Sequence, residues 1–101
     1  MHTVIYKFIV KKGQTENLLE SWLDLTKLIY KYEGSLGSRM HKVNDREYIA
    51  YAQWPSKEIY TNAGGTLPDE EADPVRVKMK AACETIETLY EMDVVEDFLQ
   101  K

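Results

Sequence analysis

The sequence has few side chains that exchange protons near neutral pH or hold a metal ion. Histidine occurs twice, as His2 and His41, and cysteine once, as Cys83. One cysteine and two distant histidines cannot form a metal site within one chain, so we expect no bound metal. Histidine is a common general base, which makes His41 a candidate, but a lone histidine on a strand is more often structural or exposed.

A strand that ends at Trp54 contains the clearest candidate for a ligand pocket. Two small side chains beside a large indole leave room for a flat ligand. The same alanines also suit a closely packed helix, and Trp54 then fills the core with its N–H bonded to a partner. Four residues alternate along the strand and therefore share one face: Tyr48, Ala50, Ala52 and Trp54. The opposite face has Ile49, Tyr51 and Gln53.

The hydrophobic pattern around this strand predicts the elements that position it. Residues 2–10 alternate with apolar side chains on both faces, which predicts a strand that is covered on both sides. A stripe with helical spacing predicts a helix over 15–32 that ends at Gly34. Two strands and a short helix follow, at 36–43, at 46–54 and from Ser56 to Asn62, with Gly64-Gly65 as the helix stop.

The second half of the chain is predicted from its helix signals. Asp73-Pro74 places a carboxylate at a helix cap and proline at the first helical position. We predict a helix from there to Thr88, with Cys83 on its apolar stripe, and a last strand at 89–95. The acidic run 69–71 would then lie in a solvated loop, or form a lid over a neighbouring cleft.

The predicted order β-α-β-β-α-β is that of an α+β, ferredoxin-like fold, an antiparallel sheet with helices on one face. A chain of 101 residues is the size of a single domain, so we expect one domain over 1–101. So short a chain can cover only one face of the sheet with helices. The second apolar face of strand 2–10 therefore predicts a homodimer.

Composition excludes several classes of partner. The net charge of −4 disfavours nucleic acid, and no apolar run approaches the ~18 residues of a membrane span. The first residues enter a strand pattern without the basic segment of a signal peptide, and cysteine is scarce. We therefore expect a cytoplasmic protein.

The segment from Tyr48 to Tyr60, YIAYAQWPSKEIY, resembles the antibiotic biosynthesis monooxygenase (ABM) domain family. That family typically has a strand that ends on a tryptophan, followed by a short serine-capped helix with an aromatic residue. The opening strand, the long helix and the segment 34–37 are similar as well, so the resemblance covers nearly the whole chain. It implies a dimeric α/β barrel with a ligand cleft in each subunit. It also implies oxidation of aromatic or phenolic substrates by molecular oxygen, without metal or flavin cofactors.

The resemblance implies roles for individual residues. Trp54 stands at the family's cleft-lining tryptophan, and Tyr60 at an aromatic position that holds substrate. The resemblance therefore implies that the strand face shared by Tyr48, Ala50, Ala52 and Trp54 is directed towards the helices, and that the face with Ile49, Tyr51 and Gln53 is directed towards a partner subunit. Tyr6 matches a pocket-facing polar position, although a tyrosine packed between two layers is the alternative. Arg76 stands near an arginine that pairs with the substrate anion in some members, or else faces solvent. The candidate catalytic residues are Trp54, Tyr60 and Arg76, and the candidate substrate-binding residues are Tyr6, His41, Tyr48, Ala50 and Ala52.

Two departures from the family limit what it implies. Some members have asparagine four residues before the tryptophan, where this chain has Ala50, and no histidine follows Trp54, so haem degradation is not expected.

The main hypothesis is a monooxygenase for a hydroquinone- or polyketide-like phenol. The alternative is a non-catalytic homodimer that binds a small ligand or is structural. An RNA-binding module of the same strand order is disfavoured by the acidic charge.

Overall fold

The computed structural model describes residues 1–63 and 65–99. They form a four-stranded antiparallel sheet in the order β2-β3-β1-β4, with helices on one face. The α+β, ferredoxin-like prediction is therefore confirmed, and the short helix predicted before the last helix is present. The elements are β1 (His2–Val10), α1 (Thr15–Glu33), β2 (Gly37–Lys42), β3 (Glu47–Trp54), α2 (Lys57–Asn62), α3 (Asp69–Ala82) and β4 (Cys83–Asp93).

The core lies between the sheet and the helices. Strand β3 alternates strictly, and every second residue from Tyr48 to Trp54 is buried. Leu18 of α1 and Ala82 of α3 pack against this face together with Phe8 and Val10 of β1. The predicted facing of Tyr48, Ala50, Ala52 and Trp54 towards the helices is thus confirmed. The other side of the sheet, which we term the open face, is not covered by any helix of residues 1–63 and 65–99.

The predicted long helix is confirmed, and its end has a clear physical cause. α1 ends at Gly34, whose φ of 78° lies in the left-handed region that favours glycine. A Cβ atom at Gly34 would also lie 3.4 Å from Cγ2 of Ile59 in α2. The turn after α1 therefore lets α2 pack close to the chain.

The short helix α2 begins as predicted. The Ser56 hydroxyl accepts a hydrogen bond from the Ile59 backbone N–H at 3.2 Å and caps the helix. The predicted stop at Gly64 lies outside the described residues, and α2 ends at Asn62. None of the helices in residues 1–63 and 65–99 combines the length and apolarity needed to cross a bilayer.

The predicted boundary between the last helix and the last strand is wrong. α3 begins at Asp69 rather than Asp73 and ends at Ala82 rather than Thr88, so Pro74 lies inside it. The acidic run 69–71 forms the first turn of α3, where carboxylates complement the helix dipole, and not a loop or lid. β4 begins at Cys83 because its backbone pairs with β1 from that residue onwards. Cys83 is buried, but as the first residue of a strand.

Candidate functional site

A cleft between the sheet and the helices consists of two neighbouring cavities. The first, which we term the apolar cavity, has a volume of about 210 Å³ and is lined mainly by hydrophobic side chains of β1, β3, α1 and α3. The second, the polar cavity, has a volume of about 470 Å³ and is lined by Tyr60, Arg76 and two acids among others. The cavities share four lining residues: Tyr6, Leu25, Ile29 and Trp54.

The space in the apolar cavity follows from small residues beside large ones. Ala52 lines this cavity together with Trp54, two residues further along β3. Trp22, Leu25 and Ile29 recur at spacings of three and four along α1, so one helix face forms the opposite wall. Alternation in the strand and periodicity in the helix therefore produce the apolar walls together.

Trp54 and Tyr60 pack against each other at the junction of the two cavities. Trp54 is only 4% exposed, and its ring meets the Tyr60 ring edge-on, with centroids 5.5 Å apart and planes at 64°. Pro55 and the Ser56 cap turn the chain directly after β3, which brings Tyr60 of α2 back over Trp54. The resemblance assigned the two residues to separate positions in the cleft, and the structure places their rings in contact.

The partly buried Tyr6 hydroxyl lies close to Tyr60 and Glu91. Burial raises the pKa of Tyr6 far above its usual range, and interactions with the Tyr60 hydroxyl and the Glu91 carboxylate raise it further. Tyr6 is therefore a neutral hydroxyl at any physiological pH. A neutral phenol can donate a hydrogen bond to a developing oxyanion, but it cannot accept a proton as a base.

The polar cavity has charged residues of both signs. Arg76 lines it, and its Nη1 donates to Oδ1 of Asp73 at 3.4 Å one turn earlier in α3. Among the described residues that line this cavity, the acids are Glu33 and Glu91. Arg76 thus offers a cation to a ligand in the cavity. No group of three or more histidine, cysteine or acidic side chains in residues 1–63 and 65–99 is arranged to hold a metal ion.

Three of the candidate substrate-binding residues lie away from both cavities. Tyr48 and Ala50 are buried in the core with Leu18 and line neither cavity. His41 of β2 pairs with Ile49 of β3 and so lies on the open face. His41 is exposed there, and its Nδ1 lies 3.2 Å from the Ile49 carbonyl oxygen. The geometry brings together Tyr6, Ala52, Trp54, Tyr60 and Arg76.

A buried histidine beside the cleft is absent from the sequence-based candidates. His2 is 2% exposed, and its Nδ1 lies 2.9 Å from Oδ1 of Asp93, at the far end of β4. Its ring packs on Tyr60 with centroids 5.4 Å apart. Strand alternation could have identified His2, because residue 2 shares a strand face with the core residue Val4. A polar side chain buried on such a face needs a hydrogen-bond partner.

Comparison with known proteins identifies the architecture. No protein-family model and no curated protein matches this sequence. Solved structures do match: SnoaB, a cofactor-independent oxygenase from Streptomyces nogalater, has a TM-score of 0.76 at 13% identity over 98% of this chain and 97% of that one. A proposed antibiotic biosynthesis monooxygenase from Caulobacter crescentus CB15 has a TM-score of 0.71 at 20% identity, over 94% and 90%. Another, from Deinococcus radiodurans, has a TM-score of 0.75 at 9% identity, over 100% and 99%.

The chain has the fold of antibiotic biosynthesis monooxygenases. This ABM fold is the one that the segment from Tyr48 to Tyr60 implied, and it extends over almost the whole chain. A shared fold hosts many chemistries. The chemistry of this chain therefore depends on the residues of its own cleft.

Proposed function

We propose that this protein is a cofactor-independent monooxygenase that acts on a small aromatic or phenolic substrate of hydroquinone or polyketide type. The observation that carries the proposal is the cleft, where an apolar cavity adjoins a polar wall made by Tyr6, Tyr60 and Arg76. Such a site takes a flat ring at one end and an oxygen substituent at the other. The fold shared with a cofactor-independent oxygenase supports the same class.

The polar wall suits a substrate that reacts as an anion. Arg76 provides a positive charge, and the neutral Tyr6 hydroxyl donates a hydrogen bond to the substrate oxygen. The apolar walls exclude water and strengthen both interactions. The electron-rich ring then passes an electron to molecular oxygen, after which one oxygen atom enters the ring and the other leaves as water. The substrate supplies the electrons, and the protein supplies position and electrostatics.

Oxygen uptake tests this function directly. The purified protein is mixed with a panel of hydroquinones and anthrones, and oxygen consumption is compared with Trp54→Phe and with Tyr30→Phe as a matched aromatic control. Tyr30 is 61% exposed and lines neither cavity. We expect consumption by the wild type and by Tyr30→Phe, and at least a tenfold loss in Trp54→Phe. Consumption no faster than the buffer blank for every substrate would contradict the proposal.

A non-catalytic ligand-binding homodimer is the second candidate. It is favoured by Ala50, which is fully buried and stands where some ABM members have asparagine. Position 50 therefore lacks the polar group that those members have, and in this chain it packs in the core outside both cavities. Phenol binding without any oxygen consumption would favour this second function.

We also propose that the protein is a homodimer with its open sheet faces packed together, and that it acts in the cytoplasm. The open face has the apolar side chains of Ile5, Ile49 and Tyr51, and of Tyr90 and Met92 on the paired β4. A second copy over this face would remove them from water. The one cysteine, Cys83, is a free and buried thiol, as is usual in a reducing compartment.

A further inference from the structure

Two buried ring nitrogens near the cleft have no hydrogen-bond partner in the part of the chain that the structure describes. They are Nε2 of His2 and Nε1 of Trp54. Both side chains are more than nine-tenths buried, at 2% and 4% exposure. Buried polar atoms are rarely left unpaired, because their lost contact with water is then uncompensated. The pair therefore points to a bonding partner supplied from outside the chain.

The two nitrogens belong to one corner of the fold. His2 of β1 lies directly opposite Trp54 of β3 in the antiparallel register, so both side chains share the helix-facing side of the sheet. Both rings pack on Tyr60, with centroids 5.4 Å and 5.5 Å away. Tyr60 and Trp54 in turn line the polar cavity. One group entering from that cavity is thus within reach of the same corner.

The donor and acceptor roles of the pair follow from Asp93. Its carboxylate oxygen lies 2.9 Å from Nδ1 of His2. In a neutral imidazole this contact favours the tautomer with the hydrogen on Nδ1, because a carboxylate accepts and does not donate. Nε2 is then a lone-pair acceptor, whereas the indole Nε1 of Trp54 is always a donor. An acceptor beside a donor is complementary to a hydroxyl group, which gives one hydrogen bond and receives another.

We propose that His2 and Trp54 form a hydroxyl-binding subsite, in which a phenolic hydroxyl of the ligand donates to Nε2 of His2 and accepts from Nε1–H of Trp54. Tyr60 lies over both rings and belongs to α2, a helix of six residues of which none is buried. Because both nitrogens are buried, the proposal requires α2 to move enough to admit the ligand hydroxyl from the polar cavity. The subsite rests on the proposed function only for the aromatic nature of the ligand.

The same geometry gives the phenolic hydroxyl a proton acceptor in direct contact with it, Nε2 of His2, a role that the neutral Tyr6 hydroxyl does not fill. The phenolic O–H bond breaks, an N–H bond forms at Nε2, and the electron pair remains on the oxygen. Asp93 stabilises the imidazolium, as a carboxylate does when it orients a catalytic histidine. The Trp54 N–H stabilises the phenolate. The product of the step is the electron-rich anion that oxygen attacks.

The test compares para-nitrophenol with its methyl ether, para-nitroanisole, by titration calorimetry. The ether fills the same space but cannot donate a hydrogen bond. We expect the wild type to bind the phenol about tenfold more tightly, the worth of one or two net hydrogen bonds. His2→Phe should bind the two probes equally, whereas His41→Phe, a matched change on the open face, should keep the preference.

A second measurement uses the unmodified protein, in case His2→Phe does not fold. With nitrogen-labelled histidine, para-nitrophenol should move the Nε2 resonance of His2 and leave that of the exposed His41 unchanged. An unmoved His2 resonance would overturn the proposal and assign the two nitrogens to bound water. The proposal would also be overturned if the wild type bound both probes equally or bound neither. It would be overturned as well if His2→Phe kept the preference for the phenol. A lack of oxygen consumption alone would contradict the proposed monooxygenase function but not the hydroxyl-binding subsite, so the two proposals can be tested separately.

Discussion

Replacing Ala52 by leucine tests whether the apolar cavity is usable space or part of the packed core. Ala52 lines this cavity of about 210 Å³, and leucine adds three carbon atoms there. Burying them gains roughly 0.8 kcal/mol for each carbon, which offsets the strain of a larger side chain. We expect the free energy of unfolding of Ala52→Leu to stay within about 1 kcal/mol of the wild type. The affinity for a naphthol should fall at least tenfold, because the added carbons occupy its place.

The matched control is Ala50→Leu, two residues away on the same face of β3. Ala50 is 0% exposed and packs in the core with Phe8 and Leu18. The same three carbons therefore overpack the core at a cost of about 1–3 kcal/mol. Urea unfolding followed by tryptophan fluorescence measures both variants, and calorimetry measures naphthol binding. The reasoning would be refuted if Ala52→Leu lost several kcal/mol of stability, or if it bound naphthol as well as the wild type.

Three further outcomes are expected. Light scattering at micromolar concentration should give about twice the chain mass of 11.8 kDa; a particle of the single-chain mass would exclude the dimer. The native pKa of Tyr6 lies above the unfolded value of about 10, so the native state holds this proton longer and stability falls as pH rises beyond about 10. Urea unfolding across that range should show a smaller fall in Tyr6→Phe, and parallel curves would contradict the burial of this hydroxyl. Glu70→Gln in the first turn of α3 should lower stability by about 0.3–1 kcal/mol at low salt and by less at high salt; no loss at low salt would contradict the helical turn.

Local patterns were sufficient to predict the elements that carry the cleft. Side-chain direction alternates along a strand and repeats every 3.6 residues in a helix, whatever lies opposite. The facing of β3 and the stripe of α1 were therefore predictable without any partner. The caps at Ser56 and Gly34 are equally local, since each satisfies backbone groups within one turn.

The boundary between α3 and β4 needed the tertiary structure. Cys83 and Ile86 fit a helical stripe, and Asp73-Pro74 resembles a helix start, so the local signals favoured a later helix. Pairing with β1 competes with these local signals. The backbone of β1 from His2 to Val10 pairs with β4 along its whole length. A strand that begins at Cys83 supplies those bonds, and this gain outweighs the local preference. Pro74 is then accommodated inside α3, which packs against α1 through the Lys78–Glu20 ion pair at 2.7 Å.

The sequence by itself determined the fold class, the two apolar faces of the first strand and the choice of Trp54 and Tyr60 as cleft residues. It did not determine that Tyr48 and Ala50 fill the core while Ala52 borders a cavity, because all three side chains lie on the same face of β3. It also could not place His2 beside Asp93, 91 residues away in the chain. Strand alternation specifies a face, but only the register between strands decides which side chains on that face meet. The polar chemistry of this cleft depends on such meetings, and so it was decided by the tertiary structure.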